Sequence, residues 1–96
     1  MLGVNVVYTM KPGMRAQFLE EVAACGAQEA VRRESGCLQY HYFLSVDDPD
    51  KLLLVEKWTD PESQKVHTTQ PHMDLIAAVK DRCVDHMELA FYHLDA

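Results

Sequence analysis

The sequence has too few cysteines, in the wrong number and spacing, for a disulfide framework. Cys25, Cys37 and Cys83 are odd in number and include no C-x-x-C pair, so buried structural thiols are their expected use. A basic excess is also missing. Nine Lys and Arg stand against fifteen Asp and Glu, a formal net charge of -6, and the cations are scattered rather than striped. Duplex binding rests on phosphate neutralisation, so nucleic acid is a poor partner, and an anionic membrane surface is disfavoured for the same reason. A small anionic ligand stays compatible, because one or two local charges suffice. No apolar run reaches the ~20 residues of a membrane span. Met1 to Met10 reads as a strand, without the basic start and cleavage site of a signal peptide, which makes the cytoplasm the expected location. The only glycines are Gly3, Gly13, Gly26 and Gly36, all isolated. There is thus no G-x-G-x-x-G and no P-loop, and no nucleotide or flavin cofactor is expected.

What is present is an ordinary globular composition, 48% hydrophobic over 96 residues, enough for one domain spanning 1–96. A chain of this size buries roughly 60–70% of its unfolded surface, so its core is thin and pairing with a second copy would help.

Along the chain, strand and helix patterns alternate. Val4 to Met10 is rich in β-branched residues, and Lys11-Pro12-Gly13 is a turn signal. From Met14 to about Arg33 the spacing predicts one helix, with Met14, Phe18, Val22 and Cys25 on one face. Ser35-Gly36 ends it. Cys37 to Val46 reads as an aromatic-rich strand, Asp47-Asp48-Pro49-Asp50 as a loop, and Lys51 to Trp58 as a third strand whose near-continuous apolar run suggests burial on both faces. Thr59-Asp60-Pro61-Glu62 opens a short helix over 61–68. A second helix is expected over 71–81, with Leu75, Ile76 and Val79 as its stripe, and a last strand over 85–94. The order β-α-β-β-α-β is the split βαβ, or ferredoxin-like, α+β motif. Its sheet carries helices on one face only. Leu53 and Val55 set against Leu52 and Leu54 give apolar character to both faces, so sheet-on-sheet pairing into a homodimer is expected.

Four stretches in register carry a family resemblance. Glu34-Ser35-Gly36-Cys37-Leu38-Gln39-Tyr40 resembles the E-x-G-C-x-x-Y opening of the second strand in the antibiotic biosynthesis monooxygenase (ABM) family. Glu56-Lys57-Trp58 resembles its E-x-W signature, and His67 followed by Thr68 to His72 its H-x-x-T/S-P-H segment. Lys11-Pro12-Gly13 matches a K-P-G after the first strand. The resemblance implies a dimeric α+β barrel with a pocket in each protomer between sheet and helices. Activities in such families include cofactor-free oxidation of quinols and polyketide phenols, haem degradation, and isomerisation of a phosphorylated signal. Family membership leaves function open.

His67 is the first candidate. Its unperturbed pKa near ~6.5 lets it accept a proton at neutral pH. The resemblance turns it to the pocket as general base or hydrogen-bond donor; the structural alternative is a histidine bonded to Glu56 or a backbone carbonyl. His72, after Pro71, either caps its helix or lines the pocket. Glu56 is a carboxylate in an apolar strand and needs a partner, and a structural bond is its expected role. Trp58 suits a flat aromatic substrate or a core anchor equally, with Ile76 contributing to an apolar slot. Asn5 interrupts an apolar strand; by resemblance it would bind substrate or oxygen species. Tyr40 and Tyr42 share one face of the second strand, His41 and Phe43 the other, and which pair sees the pocket is open. A metal site from His67, His72 and Glu56 is disfavoured, since five residues and Pro71 separate the histidines. The haem branch is disfavoured because no ligand stands near Ala77. The isomerase branch lacks a phosphate cradle, Lys65, Lys80 and Arg82 being isolated. The leading expectation is a cofactor-independent oxygenase taking a small electron-rich aromatic, a hydroquinone or phenol, and dioxygen. His67, Asn5 and Trp58 would be catalytic, with Tyr40, His72, Glu56 and Ile76 binding substrate. The alternatives are an isomerase or tautomerase of a small carbonyl compound and a non-catalytic ligand-binding dimer.

Overall fold

The structure, a computed structural model, describes residues 1–95. Strands β1 (Leu2–Met10), β2 (Cys37–Leu44), β3 (Lys51–Trp58) and β4 (Val84–His93) form one antiparallel sheet in the order β2-β3-β1-β4. Helices α1 (Arg15–Ala24), α2 (Ala27–Arg32), α3 (Pro61–Thr68) and α4 (Met73–Cys83) connect the strands. This is the ferredoxin-like α+β fold that the element order predicts.

Period-two alternation divides each strand between two environments. On β1, Leu2, Val4, Val6, Tyr8 and Met10 are buried; on β3, Leu52, Leu54, Glu56 and Trp58 are. Phe18, Val22, Val31, Ile76 and Val79 cover them from the helices. The intervening residues Asn5, Val7, Leu53 and Val55 are only half-buried, on the opposite, open face. The apolar run of β3 is therefore covered on one side of this chain, where burial on both faces is the sequence expectation.

The expected first helix is two. Gly26 adopts φ 76°, a left-handed conformation that breaks the path between α1 and α2. The last helix begins at Met73 rather than Pro71, because the preceding residues form turns, Asp74 N–H donating to the Pro71 carbonyl and Leu75 N–H to that of His72. Helix α3 starts as its residues dictate: Asp60 accepts from Ser63 N–H at 2.7 Å and Pro61 occupies the first turn. Between α2 and β2, Gly36 has φ 84°, and a Cβ there would lie 2.3 Å from Ser63 Oγ. This close approach sets the end of α2 against α3.

Candidate active site

The Gly36 contact has a chemical consequence. Glu34, two residues earlier, is carried to α3, where its Oε2 lies 2.9 Å from His67 Nδ1. The same oxygen lies 2.7 Å from His72 Nε2. A carboxylate only accepts, so both imidazoles donate to it. That places the proton of neutral His67 on Nδ1 and leaves Nε2 as its basic atom. Nε2 faces Glu56 Oε1 at 3.8 Å, too far for a hydrogen bond. His67 is only 3% exposed. Its ring lies over Trp58 at 4.7 Å between centroids and meets the edge of Tyr40 at 5.9 Å.

Glu56 takes the expected structural bond: Trp58 Nε1–H donates to its Oε1 at 3.0 Å. Strand alternation produces the pair, two residues apart on one face. Burial raises the Glu56 carboxyl above its ordinary range, opposed by the Trp58 bond and by His67. Glu56 also lies directly across from Val4 on β1 and Tyr40 on β2, at the middle of the helix-covered face.

Here the sheet and helices enclose a cavity of about 100 Å³. Val6 and Leu54 floor it, Tyr8, Tyr40, Glu56 and His67 supply its titratable wall, and Met73, Lys80 and Leu89 complete its sides. Burial pushes both the Tyr8 and Tyr40 hydroxyls well above the ordinary tyrosine range, so both are neutral donors at any working pH. Burial lowers the Lys80 ammonium, an effect the Glu56 charge opposes.

The geometry thus unites His67, Glu56 and Tyr40 at the cavity, with Trp58 directly behind the imidazole and His72 behind Glu34. Two expected members stand elsewhere. Asn5 is on the open face, paired with Val55 and Ala90 in the sheet, and its Oδ1 accepts from Tyr92 O–H at 2.9 Å. The pleat turns it away from Val4 and Val6, and hence from His67. Ile76 is fully buried in the core, and Met73 and Lys80 carry α4 to the cavity instead. Tyr40 and Tyr42 face inward, while His41 and Phe43 are exposed on the open side.

Two members carried no role in the sequence reading. Glu34 is 33 residues from His67, and only the fold brings them together. Lys80 did leave a trace: it falls four residues after Ile76 and seven after Met73, a charge interrupting an apolar helical stripe. Among the described residues, no group of three or more His, Cys, Asp or Glu is arranged to hold a metal ion.

Fold and site together define a class: a ferredoxin-like domain with a small cavity and a carboxylate-oriented histidine in its wall. The sequence profile of the family described as antibiotic biosynthesis monooxygenase matches residues 1–79, and the chain belongs to that family. It is similar to a Bacillus subtilis (strain 168) protein named "Putative monooxygenase YcnE", 31% identical over 72 residues, which cover 75% of this chain and 74% of the relative. Solved structures share the fold. The structure named "Putative antibiotic biosynthesis monooxygenase from Nitrosomonas europaea" has a TM-score of 0.85 at 20% identity, covering 97% of both chains. PA3566 from Pseudomonas aeruginosa has a TM-score of 0.83 at 22% identity, covering 99% of this chain and 94% of its own.

Proposed function

We propose that this chain is a cofactor-independent monooxygenase that oxidises a small hydroquinone or phenol with dioxygen in the helix-side cavity. The observation that carries this reading is the His67 imidazole, oriented through Nδ1 by Glu34 with Nε2 left basic at a cavity wall. Removing a phenolic proton turns the ring into a far better electron donor. His67 Nε2 takes that proton, and Glu34 on one side and Glu56 on the other stabilise the imidazolium. Tyr8 and Tyr40, held neutral, are hydrogen-bond donors for substrate or oxygen atoms. The remaining walls are mostly aliphatic. Trp58 acts by packing on His67 and bonding Glu56. Asn5 drops out of the chemistry and Ile76 becomes core packing, on the positions described above.

For a hydroquinone, one oxygen atom enters the ring and the other leaves as water, with the hydroxyquinone as product. The substrate then supplies all four electrons that dioxygen takes.

The open face supports a homodimer. Val7, Leu53, Val55 and Phe43 lie together there, Phe43 being 49% exposed. A second sheet packed on this face would bury them. The three cysteines are free thiols, which suits a reducing, cytoplasmic compartment.

Oxygen uptake by purified, metal-free protein with a panel of hydroquinones and phenols tests the reading. Uptake above background, with one atom of ¹⁸O₂ in the product, is expected. Conversion without oxygen consumption would replace it with a tautomerase, which the adjacency of two proton carriers, His67 and Glu56, also supports. Binding without conversion would leave a ligand-binding dimer.

A further inference from the structure

Lys80 is the cavity's one lysine or arginine among the described residues. Its ammonium sits 5.7 Å from the centre of the Tyr8 ring, within cation–π range. Among the described residues it makes no ion pair or hydrogen bond to a side chain. A half-buried cation facing a cavity without a direct anionic partner is an incomplete arrangement, since removing a charge from water is costly unless it is paired. The other titratable groups facing that space are Tyr8 from β1, Tyr40 from β2, Glu56 from β3 and His67 from α3; β4 contributes only Met87 and Leu89. Both tyrosines are neutral; burial raises the Glu56 carboxyl, and the Trp58 bond, His67 and Lys80 oppose that rise. Glu56 already accepts from Trp58 and stands beside His67, and its charge reaches Lys80 without an ion pair. Lys80 also falls just past the family-matched residues, 1–79.

We propose that Lys80 makes this cavity an anion site, holding the substrate as its phenolate with the negative oxygen paired to Nζ. The inference rests on the oxygenase reading and names the form of the substrate that reacts. The proton lost by the phenol goes to His67 Nε2. The imidazolium is then flanked by Glu34 and Glu56, and the phenolate is paired with Lys80. Each new charge meets its opposite within the site, so substrate ionisation is favoured inside a space that would otherwise oppose it.

The probe is 4-nitrophenol, whose phenolate absorbs visibly and whose binding needs no turnover. With protein in excess, an absorbance titration reads the preference for anion over neutral dye. Wild type is expected to favour the anion roughly tenfold, so that the bound dye ionises at lower pH than the free dye. Lys80→Met, which keeps the aliphatic packing on Tyr8, should abolish the preference, and Lys80→Arg should keep it. An unchanged preference in folded Lys80→Met, or no anion preference in wild type, overturns the proposal. Anion preference without oxygen uptake from any hydroquinone leaves the Lys80 assignment standing and removes the oxygenase. Oxygen uptake without anion preference does the reverse.

Discussion

The two faces of the sheet use the same strands for different ends. On the helix side, β1 and β3 present Val4, Val6, Tyr8, Leu54, Glu56 and Trp58, all buried. One residue along each strand, the open side presents Asn5, Val7, Leu53 and Val55, half-buried and free of helices. The helix side presents a carboxylate, an imidazole and an ammonium to a cavity, with Glu34 bonded behind the imidazole. The open side near Asn5 has one polar contact of note, Tyr92 to Asn5. There the tyrosine ring crosses Gly3, where a Cβ would meet it at 2.3 Å. A step of one residue in a strand therefore separates the cavity from the open apolar face, and a polar residue in an apolar strand has to be assigned to a face before it is assigned a role.

Substitutions on each face put this division to the test. The largest effect belongs to His67→Ala. It should lower turnover roughly 10²–10⁴-fold while the protein stays folded, as steady-state oxygen uptake would show; unchanged turnover would remove His67 from the mechanism. Trp58→Ala leaves a large void behind His67 and takes the N–H from Glu56. It should cost about 3–5 kcal/mol of stability in urea unfolding. Leu53→Asp places a charge on the open face and should convert the proposed dimer to monomer in sedimentation equilibrium, leaving the monomer's secondary structure intact; a persistent dimer would place the interface elsewhere.

Glu56→Gln probes a smaller, pH-dependent term. Burial raises the folded-state carboxyl above its ordinary 4.5, so ionisation opposes folding. That part of wild-type stability is complete below 4.5 and is lost as pH rises through the folded value. The variant keeps an acceptor for Trp58 and loses the ionisation. It should therefore gain on wild type as pH goes from 4.5 to 7, read from paired urea midpoints, and a pH-independent difference would contradict the burial account. Asn5→Ala should have the least effect, about 0.5–1.5 kcal/mol from the lost Tyr92 bond.

Much of the fold could be read along the chain because its signals are local. The cap and proline at Asp60-Pro61 place α3, and the alternation around Glu56 places its carboxylate beside Trp58. The break at Gly26 is not legible in the sequence because an apolar helical spacing runs across it, and only a backbone angle distinguishes one helix from two. The site was legible where it is local and obscure where it is not. His67 is placed by its helix, but its orienting partner Glu34 comes from the far side of a turn that Gly36 compresses. Lys80 reads as an ordinary helix cation until β1 and β3 are packed under it. The face that Asn5 takes is not legible in the sequence, because the period-two pattern says which residues share a side, not which side the helices cover.

Oxygen uptake by Asn5→Ala and His67→Ala, measured beside wild type on one hydroquinone, tests the division of faces most directly. The account predicts near wild-type uptake for Asn5→Ala and a collapse for His67→Ala. Collapse of the former with retention of the latter would place the chemistry on the open face and contradict it.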